Sequence, residues 1–191
     1  MKRLLGLLMM GVVGFIGCGG DKDTPTGPTQ GPEGQTLEVW TEKWDNGNVK
    51  EEYHYFRDIE GKVVKHGYYK EYDKDGTLRV DGTYFEDKEK YNGKWVSYYE
   101  DGQIEWERNY KDGKYDGKWV KYYSDGQIKY EKNYKDGIED GKWVGYYSDG
   151  QIEREENYKD GKLDGKYVKY DEEGNINYEY CYEMGVSVDC P

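Results

Sequence analysis

Three cysteines hold the clearest chemical options in this sequence: Cys18, Cys181 and Cys190. A thiol directly behind an apolar leader can be acylated, and Cys18 stands in that place. Cys181 and Cys190 form an even pair close together in the chain, and in an oxidising compartment such a pair forms a disulfide. The bridge would close the segment YEMGVSVD and resist fraying at the end of the fold by about 2–3 kcal/mol. Two free thiols in an anaerobe's envelope are the alternative. Little else reads as reactive. The two histidines, His54 and His66, sit in no HExxH or paired metal spacing, and both are expected on the surface or in turns. The stretch DKDG at 73–76 lacks the later ligands and flanking helices of a calcium loop and reads as a turn. With 40 acidic residues, carboxylate pairs arise by chance. No catalytic residue, metal site or cofactor is expected, and the chain is read as no enzyme.

The leader, residues 1–17, reads MKRLLGLLMMGVVGFIG. Lys2 and Arg3 open it, and an apolar run follows from Leu4 to Ile16. That run is too short to cross a bilayer as a helix, which takes about 20 residues; it has the form of a secretory signal peptide. Its end, FIGC, resembles the lipobox of bacterial lipoproteins, whose cysteine is acylated and becomes the new N-terminus. Gly17 and Cys18 fit that pattern, while Phe15 and Ile16 depart from its commoner Leu and Ser/Ala. An ordinary signal peptide with an incidental cysteine is the plainer alternative. Residues 18–36 then carry three of the four prolines and no aromatic. They read as a lipidated cysteine and a flexible tether spanning roughly 20–25 Å as a random coil. The expected location is the bacterial cell envelope, on the outer membrane or cell surface, with the lipid as the only membrane contact.

The remainder, residues 37–191, is polar yet rich in rings. Charged residues make up 36% and mean hydropathy is -1.20, but there are 23 Tyr and 6 Trp. Disordered chains are poor in aromatics, whereas Tyr can bury a ring and keep its hydroxyl wet; an ordered, thinly packed domain follows. The net charge of -12 repels nucleic acid and anionic lipid.

The organisation of that domain is a repeat of 24 residues. GKWVSYYEDGQIEWERNYKDGKYD fills 93–116, and close copies fill 117–140 and 141–164. A looser copy fills 165–188, and degenerate ones fill 67–92 and 37–66. Self-similarity at such a period marks a stacked array in which each unit buries its face only against its neighbours. Within a unit, two short runs of aromatic and β-branched residues flank Asp-Gly, which is a hairpin signal. No helical period appears after the leader. The predicted fold is all-β: a linear array of tandem β-hairpins in one extended, twisted antiparallel sheet. Two strands per unit at about 4.8 Å each give a sheet roughly 55–60 Å long.

Two registers fit the hairpin. With Asp125-Gly126 as a two-residue type I′ turn, Tyr123 opposes Ile128 and Trp119 opposes Lys132. With a three-residue turn and a bulge at Gly126, the pairing slips by one, and Val120, Tyr122 and Ile128 share a face. The first is favoured. It puts Trp95, Trp119, Trp143 and Tyr167 in a structural row on the more apolar face. Tyr98, Tyr122, Tyr146 and Tyr170 form a second row among Glu107, Glu131 and Glu155 on the wetter face, and this second row is the expected binding face. Position 121 and its mates (Ser97, Gly145, Lys169) read as free to vary. Arg108, Lys132 and Arg154 read as basic mates of one another.

The pattern GKW..YY.DGQI..E.NYKDGK resembles the second variant of the bacterial MORN-type repeat, found in proteins often named antitoxin-like. The resemblance implies antiparallel hairpins in an extended sheet and a role as scaffold or binding module. Three functions follow in order. The first is a protein-binding scaffold on the envelope; the second is a glycan or cell-wall binding module; the third is an immunity protein neutralising a toxin in the envelope. The partner is an unidentified protein or glycan, with no nucleic acid, and the chain is expected to be a monomer.

Lipidation is testable directly. Labelled fatty acid is expected on the wild type and not on Cys18→Ala; equal labelling of both would remove the anchor.

Overall fold

The computed structural model describes residues 31–84 and 90–191. The leader and Cys18 lie outside the described residues. A 3-10 turn, Pro32–Gly34, precedes the sheet, so the last residues assigned to the tether already have a defined path. A side chain placed on Gly31 would touch the Phe56 ring at 3.4 Å.

Fifteen strands follow: β1 (Glu38–Lys43), β2 (Val49–Arg57), β3 (Val63–Tyr72), β4 (Leu78–Tyr84), β5 (Tyr91–Tyr98), β6 (Ile104–Lys111), β7 (Lys114–Tyr122), β8 (Ile128–Lys135), β9 (Ile138–Glu139), β10 (Gly141–Tyr146), β11 (Ile152–Lys159), β12 (Lys162–Leu163), β13 (Gly165–Tyr170), β14 (Ile176–Glu183) and β15 (Val186–Val188). They form one antiparallel sheet in essentially sequential order, with β9 on β8 and β12 on β11 beside the main path. The sheet is open: β1 and β15 end the order and do not pair with each other. The all-β array of tandem hairpins is therefore the fold.

The two Asp-Gly turns of each unit differ. At Asp136-Gly137 both residues have positive φ, 51° and 89°, which is the type I′ geometry that matches strand twist. Asp112-Gly113 and Asp160-Gly161 repeat it. At Asp125-Gly126 only the glycine is left-handed, at 87°. There the Gly126 N–H donates to the Tyr123 carbonyl at 3.0 Å and the Tyr123 N–H to the Gln127 carbonyl at 2.8 Å. Asp125 accepts the Gln127 N–H at 3.0 Å. This is a three-residue turn closing on a glycine bulge. The favoured type I′ reading of Asp125-Gly126 is thus corrected, and Tyr122, not Tyr123, opposes Ile128. The slip is undone at once. Lys129 is left over between the pairs Tyr122–Ile128 and Lys121–Tyr130, so Trp119 still opposes Lys132. Two bulges cancel, and the faces expected along most of the strand stand.

Neighbouring units are joined by side chains that reach backbone across the junction. The second tyrosine of each YY pair donates to the carbonyl of the first in the next unit: Tyr99 to Tyr122 at 2.7 Å, Tyr123 to Tyr146 at 2.9 Å and Tyr147 to Tyr170 at 2.7 Å. Asn109, Asn133 and Asn157 donate Nδ2 to the carbonyls of Lys118, Lys142 and Lys166. Asp116, Asp140 and Asp164 accept the N–H of Asp136, Asp160 and Met184, at the next return turn.

The core lies at the N-terminal end, on the face that carries the tryptophans. Tyr53, Tyr55, Tyr69, Tyr84 and Trp95 pack there, with Val80, Trp106 and Tyr110 against them. The Trp95 ring lies so close over Gly82 that a Cβ there would come within 2.2 Å of it; only glycine fits.

The two turn types respond oppositely to one change. Asp136→Gly relieves a left-handed aspartate, which offsets the added chain entropy, so stability is expected to hold within about 0.5 kcal/mol. Asp125→Gly loses a turn hydrogen bond and gains only flexibility, and is expected to cost about 1 kcal/mol or more. Denaturant unfolding of the two variants checks the difference; equal effects would contradict the turn assignment.

Candidate binding surface

Each sheet face carries rows set by the repeat, because equivalent residues stack across successive hairpins. On one face, here the Trp face, rings and cations interleave. Tyr115 stacks on Trp119 with centroids 5.3 Å apart, and Trp143 meets Tyr158 at 4.4 Å. The Arg108 guanidinium lies 3.9 Å from the Trp106 ring and 4.5 Å from Trp119. The Lys132 ammonium lies 3.7 Å from the Trp143 ring. Such contacts hold a cation by the ring quadrupole, and burial pushes the Lys132 pKa down. Arg154 departs from the expected equivalence. By period it stands where Trp106 and Tyr130 stand, and the residue matching Lys132 is Glu156. Glu156 is buried, accepts the Tyr158 hydroxyl at 2.6 Å and pairs with Arg154 at 3.2 Å. One unit therefore replaces a cation on the rings by an internal ion pair.

Along the row itself exposure is uneven. Trp95 is only 4% exposed and gives its indole N–H to the Thr83 carbonyl. Trp119, Trp143 and Tyr167 are half-buried. The Nε1 atoms of Trp119 and Trp143 are enclosed without a hydrogen-bond acceptor.

On the opposite face, the Tyr face, the row Tyr98, Tyr122, Tyr146 and Tyr170 is half-buried. Lys94 pairs with Glu107 at 2.6 Å, Lys118 with Glu131 at 2.6 Å, Lys142 with Glu155 at 2.5 Å and Lys166 with Glu179 at 3.3 Å. Tyr122 donates to Glu107 and Tyr170 to Glu155, each at 3.3 Å. Each of these two carboxylates is thus shared by a lysine of its own hairpin and a tyrosine of the next. Burial, and then the Glu107 charge, push the Tyr122 pKa up to about 12. Burial and nearby acids raise Tyr98, Tyr146 and Tyr170 as well. The glutamates expected to give this face a negative character are matched by lysines.

Position 121 does not vary freely. Lys121 pairs with Glu105 at 2.7 Å, and Lys169 pairs with Glu153. Glu105 and Glu153 are the bulge residues of the preceding units. Where the bulge residue is Lys129 the following unit has Gly145, and where it is Arg79 the following unit has Ser97. No lysine meets a cation. The signal was present as a correlation between the bulge residue of one unit and its partner in the next, sixteen positions on in the close copies.

The histidines also differ from expectation. His66 is 2% exposed and packs edge-on to Phe56. His54 lies with its ring 4.0 Å from that of Tyr68, and burial lowers its pKa. In the degenerate first units these imidazoles serve as flat packing groups. Among the described residues no group of three His, Cys, Asp or Glu side chains is placed to hold a metal. Cys181 and Cys190 are joined, with Cα atoms 5.2 Å apart.

Six stretches match the MORN repeat variant: residues 39–56, 65–86, 91–112, 115–136, 139–160 and 163–184. The chain belongs to this family. Each of the last three MORN stretches begins two residues after the glycine of one return turn and ends on the first residue of the next, so the family unit is the hairpin itself. No curated protein matches the chain.

The phenols make stability pH-dependent. Tyr122, Tyr110 and Tyr134 are each pushed up to about 12, mainly by burial. Between pH 10 and 12 the unfolded chain loses these protons and the folded chain keeps them, so stability is expected to fall as pH rises through that window. Unfolding midpoints at pH 9, 10 and 11 check this; a flat profile would contradict the burial of the tyrosine rows.

Proposed function

We propose that this MORN array is a non-catalytic protein-binding scaffold, exported and held at a bacterial envelope membrane by lipid on Cys18. Its docking platform is the Trp face of the middle and later units. One observation carries the reading. The sheet is a single layer, and that face presents half-buried Trp106, Trp119 and Trp143 interleaved with Arg108 and Lys132. Trp, Tyr and Arg are the residues enriched where proteins bind one another. Rows at fixed spacing on a rigid ribbon suit an extended partner. The Tyr face supports this role less well, because the Tyr122 and Tyr170 hydroxyls and the lysine and glutamate charges of its rows are already paired within the sheet.

A glycan is the second reading. Tyr167 and Tyr178 hold their rings within 3° of parallel at 6.2 Å, and flat exposed rings can pack against sugar faces.

The experiment is capture from envelope extract on the full lipidated chain, with two variants compared. Arg108→Ala with Lys132→Ala is expected to lose the captured protein, while Tyr98→Phe, Tyr122→Phe and Tyr146→Phe together are expected to keep it. The reverse result would move binding to the Tyr face. Retention of a glycan and of no protein would favour the second reading.

A further inference from the structure

The two ends of the sheet leave matching strands uncovered. Among the described residues, nothing pairs with the outer side of β1. On the outer side of β14, β15 pairs only with Cys181, Tyr182 and Glu183, so residues 176–180 form an open edge. Inside the array that stretch is always taken by the next hairpin: Trp106, Glu107 and Arg108 oppose Lys121, Val120 and Trp119. By the repeat, Tyr178, Glu179 and Tyr180 are the counterparts of Trp106, Glu107 and Arg108. At the other end, Trp40 opposes Tyr53 as Trp119 opposes Lys132. Trp40, Thr41, Glu42 and Lys43 are therefore the counterparts of Trp119, Val120, Lys121 and Tyr122. Exposure reflects the missing neighbours, at 37% for Trp40, 44% for Tyr178 and 50% for Tyr180.

We propose that the chain associates head to tail with a second copy, β1 of one pairing with the open stretch of β14 of the other. The interior register then sets Tyr180 opposite Trp40, Glu179 opposite Thr41 and Tyr178 opposite Glu42. Interior contacts find substitutes. Arg108 over Trp119 becomes Tyr180 against Trp40, an aromatic pair. The Tyr122 hydroxyl on Glu107 becomes the Lys43 ammonium on Glu179, a pair of opposite charges. That charge exchange favours the head-to-tail order, because it needs one β1 and one β14. All three staples are absent at this junction: Asp171 stands where Tyr147 would donate, Cys181 where Asn157 would, and Val188 where Asp164 would accept. The association is therefore weaker than an interior junction and reversible. The contact is heterologous, so further copies can add at either end. It uses the sheet's two ends and stands apart from binding on the Trp face.

The test is disulfide trapping in membranes holding the full chain. Opposed residues bring Cβ atoms to about 4.5–5.5 Å, close enough for a disulfide after slight adjustment. One tagged copy carries Thr41→Cys and a second carries Glu179→Cys; Glu42→Cys with Tyr178→Cys is the second pair. A crosslinked dimer is expected from each mixture and not from any single variant alone. In the second pair, where position 179 stays glutamate, adding Lys43→Glu to the Glu42→Cys copy is expected to lower the yield about tenfold, and adding Glu179→Lys to the Tyr178→Cys copy to restore it. No dimer from either mixture, equal dimer from the single variants, or no recovery in the charge swap would each overturn the proposal.

Discussion

A sheet one layer thick has nothing stacked on it, so what one hairpin donates to the next must hold the structure. Tyr123 and Asn133 each give a hydrogen to a carbonyl of the following unit, and Asp116 takes one from the following return turn. Each bond is worth about 1 kcal/mol net, but the repeat multiplies them. They also explain residues that pattern alone leaves idle. The YY pair has two jobs: its first ring lies in the row on the Tyr face, and its second hydroxyl closes the junction.

How much of this the sequence disclosed depends on the range of the interaction. The period and the two Asp-Gly signals sufficed for hairpins in a linear array, because turn chemistry is local. They did not distinguish Asp125-Gly126 from Asp136-Gly137, since the same dipeptide serves a glycine bulge in one place and a type I′ turn in the other. The second bulge at Lys129 has no local signature; it exists because the Trp row must stay on one face. The matching of Lys121 to Glu105 and of Gly145 to Lys129 was legible as a correlation. It went unseen because each position, taken alone, looks unconstrained. His66 stands between Lys65 and Gly67 in a degenerate unit, where nothing local marks it as buried; its burial comes from packing on Phe56 of the paired strand.

The two faces divide the work. Lysine, glutamate and tyrosine satisfy one another on the Tyr face, which leaves it close to neutral although the chain is acidic. On the Trp face the N-terminal units fold their rings into a small core around Trp95, and later units spread the same rings as a ladder with Arg108 and Lys132 between them. A MORN array of this form combines a closed, stable beginning with an open platform.

The central claim is that each hairpin depends only on its neighbours. Deleting residues 117–140 removes one whole unit and brings Tyr99 beside Tyr146 and Asn109 beside Lys142, so that every staple finds an equivalent partner. Circular dichroism and denaturant unfolding of the shortened chain measure the outcome. A β spectrum kept in full per residue, with a cooperative transition and a smaller denaturant slope, is the result the account predicts. Loss of the β signal would contradict it.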